Sequence, residues 1–169
     1  MYHNQPDGAL ASSHISAPTK IDNLDAFIKQ TRPRYPVTVV RPEKLTARAA
    51  EFVSLFPCRI LYAVKCNPDE RVLRALIAGG LDSFDCASIG EIQLVRSIKP
   101  DATIYFMHPI KSRESIREAY FDHGIRAFVL DTADELQKIV EETKRAKDLT
   151  LFVRMAVPKQ KVTTDFSAK

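Results

Sequence analysis

Cysteine is scarce in this sequence and poorly placed for cross-links or metal. Cys58, Cys66 and Cys86 are odd in number and share no CxxC spacing. That argues against a disulfide framework and against a zinc site, and it fits a reducing cytoplasm. Long apolar runs are missing too, so no segment is expected to span a bilayer as a helix. The amino terminus lacks the charged-then-apolar pattern of a secretory signal. Nor does one sign of charge dominate: 25 Lys and Arg against 21 Asp and Glu leave a net charge of +4. Bases and acids alternate through Lys138, Glu141, Glu142, Lys144, Arg145, Lys147 and Asp148, as on a solvated helix face. A basic stripe with interleaved aromatics is absent, so no nucleic-acid partner is expected.

What is present is enough chain for one domain with a core: 169 residues, 45% of them hydrophobic. Residues 1–20 are rich in Ser, Ala, Pro and His without a period, and read as a mobile tail; His3 and His14 have no partners there. Residues 21–58 form an amino-terminal segment of helix, strand and helix. Ile21, Leu24, Phe27 and Ile28 give the first helix its spacing, Val37-Thr38-Val39-Val40 reads as a strand, and Pro42 opens the second helix. That helix carries the stripe Leu45, Ala49, Phe52, Val53 and Phe56.

From residue 59 to 169 a unit repeats. Strands are expected at Leu61–Val64, Ser83–Cys86, Thr103–Phe106, Ala127–Leu130 and Leu151–Met155, with starts 22, 20, 24 and 24 residues apart. Each gap holds one helical pattern: Glu70–Ile77, Ser88–Ile98, Ser112–Asp122 and Thr132–Lys147. Thr132 and Glu135 have the spacing of a capping box, and Gly79, Gly80 and Gly124 sit where helices should stop. Strand and helix alternating at this period imply an α/β fold with a parallel sheet. A doubly wound sheet would usually show a glycine-rich turn after its first strand, and here that turn is Lys65-Cys66-Asn67-Pro68. A (β/α)8 barrel is therefore favoured, with five of its eight strands represented. The polar residues 157–169 carry no helix signal, so an incomplete barrel is expected.

In such a barrel, chemistry gathers at the carboxyl ends of the strands. Those ends carry Lys65, Asp85 with Ser88, His108, Asp131 and Arg154. An amine, carboxylates, an imidazole and a guanidinium on one rim suit an anionic or phosphorylated ligand beside a reactive lysine. A lysine that burial helps to deprotonate can form a Schiff base. Read alone, Lys65 could equally be a strand-end lysine reaching water, Asp131 a residue leading into its helix, and His108 a turn histidine.

The motifs Tyr62-Ala63-Val64-Lys65-Cys66-Asn67 and Phe84-Asp85-Cys86-Ala87-Ser88, with Glu91 and Ile92 after them, are specific as a pair. They resemble the pyridoxal-phosphate-dependent ornithine decarboxylase family, which includes the lysine, diaminopimelate and arginine decarboxylases of the alanine-racemase-like fold-type III group. The likeness extends over most of the chain after Val37, through Arg154 to Asp165–Lys169. It implies that Lys65 carries pyridoxal 5'-phosphate as a Schiff base, with Asp85, Glu91 and Arg154 as the polar shell around cofactor and lysine. It also implies decarboxylation of a basic amino acid. L-Ornithine to putrescine comes first, and L-lysine to cadaverine is a second possibility.

Family members are longer, and their remaining part supplies a phosphate loop, a ring-stacking histidine, an acid for the pyridine nitrogen and a carboxy-terminal β-domain. That β-domain brings a proton-donor cysteine and a substrate-binding aspartate across a homodimer interface. This 169-residue piece is accordingly expected to be inactive alone. Two other readings stay open: a non-catalytic homologue that binds a partner, and a single-domain pyridoxal-phosphate-binding protein, which would lack the Phe84–Ser88 block. No metal is expected.

Overall fold

A computed structural model describes residues 20–156. The tail expected over 1–20, apart from Lys20, and the polar segment expected over 157–169 lie outside the described residues. Contacts divide the chain into two compact units, Met1–Val39 and Val40–Lys169.

In the first unit, helix α1 (Leu24–Thr31) starts three residues later than the apolar spacing suggests, because Asn23 caps it. The Asn23 side chain accepts from the Ala26 N–H at 3.0 Å, and Arg32 ends the helix in the left-handed region at φ 43°. The strand expected at Val37–Val40 does not form. Val37 and Val39 are 46% and 41% exposed, and among the described residues no neighbouring strand pairs with them. Their β-branched side chains favour extended backbone, but a strand also needs a ladder partner.

The second unit runs α2 (Pro42–Leu55), β1 (Tyr62–Ala63), a 3-10 turn (Val64–Cys66), α3 (Glu70–Ala78), β2 (Ser83–Cys86), α4 (Ile89–Ile98), β3 (Thr103–Phe106), α5 (Arg113–Phe121), β4 (Ala127–Leu130), α6 (Ala133–Glu142) and β5 (Thr150–Val153). The five strands pair in sequence order, all parallel. Phe84, Cys86, Ile104, Phe106, Phe128 and Leu130 pack with Leu73, Ile92, Val95, Ile116, Ala119 and Ile139 of the helices. Alternate residues point to the other face, so the register sets Ala63, Asp85, Tyr105, Ala127 and Thr150 in one row across it. Sequential parallel order with helices α3 to α6 packed on one face is the wall of a (β/α)8 barrel. A doubly wound sheet would reverse its strand order and cover both faces.

The helix starts are built by side-chain caps at Asp69, Ser88, Ser112 and Thr132, each accepting a backbone N–H of the first turn. Helix α6 stops at Glu142, five residues before the expected Lys147, because Lys144 and Arg145 adopt left-handed backbone at φ 54° and 59°. Gly79 closes α3 against α2 so tightly that an added Cβ would lie 2.5 Å from the Thr46 carbonyl oxygen. The Thr46 hydroxyl donates to the Ala75 carbonyl at 2.9 Å across the same contact. β1 is only two residues long, and the chain turns at Val64, which delivers Lys65 in a turn rather than in a strand.

Candidate active site

Parallel strands bring their carboxyl ends to one edge, so the polar residues found by sequence share a rim. Lys65 stands at the first position. Val64 before it is fully buried, whereas the Lys65 side chain is exposed. The turn holding it is tied down: the Asn67 N–H donates to the Val64 carbonyl at 3.1 Å, and the Tyr62 hydroxyl donates to the Asn67 carbonyl at 3.3 Å. Asn67 then accepts from the Asp69 N–H at 3.1 Å, which leads the chain into α3. An exposed amine on a fixed turn can be reached by a carbonyl compound and held in one orientation.

Asp85 lies on β2 beside Ala63, on the face away from the helices, and is half-buried. Burial pushes its carboxyl up, while the Lys65 ammonium pulls it back toward the ionised form. The Lys65 charge is therefore felt at Asp85 across the rim. Cys86, the next residue, turns into the core, and burial followed by the Glu91 and Asp85 charges drives its thiol far up. A thiol held protonated and packed in this way is inert.

Glu91 has a local duty. The Ala87 N–H donates to its Oε2 at 2.8 Å, and the Glu91 N–H donates to the Ser88 hydroxyl at 3.3 Å. This reciprocal cap fixes the loop that follows Asp85. Arg154 lies just beyond β5, exposed, with its N–H donating to the Leu130 carbonyl at 2.8 Å. Lys65 and Asp85 are coupled, Glu91 supports the loop next to them, and Arg154 stands three strands from β2.

Of the other rim residues, His108 engages its own loop. Its Nδ1 lies 2.5 Å from the Ile110 carbonyl oxygen and 3.2 Å from the Ile110 nitrogen. Asp131 is exposed ahead of the Thr132 cap. Residue-by-residue reading missed Tyr105, which adjoins Asp85 in register, meets Arg59 at 3.3 Å through its hydroxyl, and stacks edge-on with Phe152 at 5.6 Å. It also missed Lys111 and Glu135, which form a buried ion pair behind the rim. Strand alternation could have flagged Tyr105; no local pattern marks the ion pair.

The donor set fits pyridoxal phosphate. An accessible amine can bond the aldehyde carbon, and the half-buried Asp85 carboxylate on the same edge offers a charged hydrogen-bond acceptor.

The comparisons agree with that chemistry. Residues 42–169 match the family model described as "Pyridoxal-dependent decarboxylase, pyridoxal binding domain". Ornithine decarboxylase of Neurospora crassa is 38% identical over 109 residues, covering 64% of this chain and 22% of the relative. Ornithine decarboxylase of Panagrellus redivivus is 30% identical over 155 residues, covering 91% of this chain and 32% of the relative. Among solved structures, the lysine/ornithine decarboxylase of Vibrio vulnificus complexed with putrescine superposes with a TM-score of 0.62 at 32% identity. That match covers 78% of this chain and 35% of the other. The Paramecium bursaria Chlorella virus arginine decarboxylase gives 0.65 at 29% identity, with the same two coverages. The chain thus spans between about a fifth and a third of the curated relatives' length. With the barrel wall, the strand-end lysine and the matched span in agreement, this chain belongs to the pyridoxal-dependent decarboxylases, and residues 42–169 are pyridoxal-binding domain.

Proposed function

We propose that this chain contributes the lysine-bearing half-barrel of an enzyme that decarboxylates a basic amino acid, with L-ornithine the first substrate to test and L-lysine the second. The observation that carries the reading is the exposed Lys65 amine on its fixed turn, two residues beyond Ala63, which pairs in register with the half-buried Asp85. Relatives named as ornithine and lysine/ornithine decarboxylases support the choice of substrate class. Ornithine and lysine differ by one methylene, which pockets separate only modestly, so both belong in the assay.

Pyridoxal phosphate, when bound, supplies an electron sink for the charge left behind as CO2 departs. Lys65 would hold the cofactor and exchange it for the substrate amine. Asp85 would keep a proton close to the Lys65 nitrogen. Glu91 would preserve the loop that aims Asp85, and Arg154, at the far side of the rim, would meet an anionic group of cofactor or substrate. We place the enzyme in the cytoplasm, which the free Cys58, Cys66 and Cys86 support, and read it as a homodimer. Among the described residues no helix is long and apolar enough to cross a membrane.

The test is release of CO2 from carboxyl-labelled ornithine and lysine by the native polypeptide, with Lys65→Ala as control. Release from at least one substrate, abolished by the substitution, supports the reading. Release that survives Lys65→Ala, or no release from either substrate, contradicts it.

A further inference from the structure

Behind the rim lies a charged lysine that the proposed chemistry does not use. Lys111 ends the loop after β3, and its side chain has 0% exposure. Its Nζ donates to the carbonyls of His108 at 2.9 Å and Val129 at 2.7 Å, and lies 2.8 Å from Glu135 Oε1. Three acceptors match the three donors of an ammonium. Glu135, with 4% side-chain exposure, also receives the Lys111 backbone N–H at 3.2 Å and, on its other oxygen, Lys138 Nζ at 2.6 Å. Lys138 in turn donates to the Lys111 carbonyl at 2.7 Å. Among the described residues no buried side-chain polar atom lacks a partner.

A buried ion pair is a weak source of stability compared with apolar residues in the same space. Burial holds the Lys111 amine below its usual range even though Glu135 pulls it back up. What a fully satisfied buried network provides is fixed geometry. The groups fixed here belong to the rim. They are the His108 carbonyl, the Val129 carbonyl two residues before Asp131, and the first turn of α6. Docking of α5 on α6 has its own surface pairs, since Arg113 and Arg117 meet Glu141 and Glu142.

We propose that Lys111 is a positioning residue whose buried ammonium locks the rim segments bearing His108 and Asp131 together before cofactor arrives. The proposal rests on the pyridoxal-dependent reading of this rim.

The test compares the native polypeptide with the double variant Lys111→Met/Glu135→Gln, which removes both charges while leaving an amide oxygen to accept the Lys111 backbone N–H. Lys111→Gln, which leaves Glu135 paired with Lys138, serves the same comparison if methionine is not accommodated. Thermal midpoint, amide hydrogen exchange over residues 107–111 and 129–132, and half-saturation by pyridoxal phosphate are read together. The expected result is a midpoint modestly below that of the parent, because the His108 and Val129 carbonyls lose their donor, exchange about tenfold faster in those two segments with α3 unchanged, and half-saturation raised about tenfold. Exchange or half-saturation staying at the parent level overturns the proposal. If the parent itself binds no cofactor, the functional reading fails, and the exchange comparison alone decides what Lys111 does.

Discussion

Replacing Glu91 separates a cap from a cofactor contact. Its Oε2 accepts the Ala87 N–H at 2.8 Å, two residues beyond Asp85, and its carboxylate lies in the first turn of α4. A hydrogen bond to a charged group contributes about 1.5–3 kcal/mol, and a negative charge at a helix amino terminus adds about 0.3–1 kcal/mol. Water can partly replace the acceptor at this half-buried position, so Glu91→Ala should cost about 2 kcal/mol. Glu91→Gln keeps an acceptor oxygen for Ala87 and loses only charge, which should cost about 0.5–1 kcal/mol. At 2–4 °C per kcal/mol, the melting temperature should fall by about 4–8 °C for Ala and about 1–4 °C for Gln. Cofactor titration should follow the same order, with Gln near the parent and Ala weaker, because the Ala loop no longer aims Asp85. If Gln and Ala weaken cofactor binding equally with little effect on melting, Glu91 acts by its charge on the ligand, and the capping argument is refuted.

Further outcomes follow from packing and charge. Glu135→Gln leaves the Lys111 ammonium buried without its counter-charge and should cost about 3–5 kcal/mol at neutral pH, read by urea unfolding. Burial works against the Glu135 carboxylate, but Lys111 and Lys138 hold its pKa below the usual 4.5. The stability it adds is therefore complete above that value and disappears as pH falls through the depressed one, a limb the Gln variant should lack. Phe84 is fully buried on β2, so Phe84→Ala should cost about 3–5 kcal/mol. A polypeptide of residues 20–156 alone should self-associate. Within the described residues β1 and β5 each have one strand neighbour, and Leu55 and Met155 are 74% and 82% exposed. A monodisperse preparation, seen by light scattering, would contradict that.

Much of the barrel wall was legible because its signals are local. β2, β3 and β4 are short runs, largely apolar, bounded by caps and turns, and the structure places each at the residues the pattern marks. Misreadings arose where local preference met a non-local requirement. Val37–Val40 has strand-forming side chains but no ladder partner. The carboxyl end of α6 is set by left-handed backbone at Lys144 and Arg145 with no glycine to announce it. The site divides the same way. Lys65 and Asp85 could be found because each ends or interrupts an apolar run on a common edge. Glu135 could not, since its spacing from Thr132 reads as a cap. Thr132 does accept the Glu135 N–H at 3.2 Å, yet the carboxylate turns inward to a lysine 24 residues earlier.

Lys65 is expected to be the amine that bonds the cofactor. The native polypeptide would be incubated with pyridoxal phosphate, reduced with borohydride, digested and mapped by mass spectrometry. One pyridoxyl group is expected, on the peptide containing Lys65, and none there after Lys65→Ala. Labelling spread over surface lysines, or concentrated on a lysine other than Lys65, would contradict it.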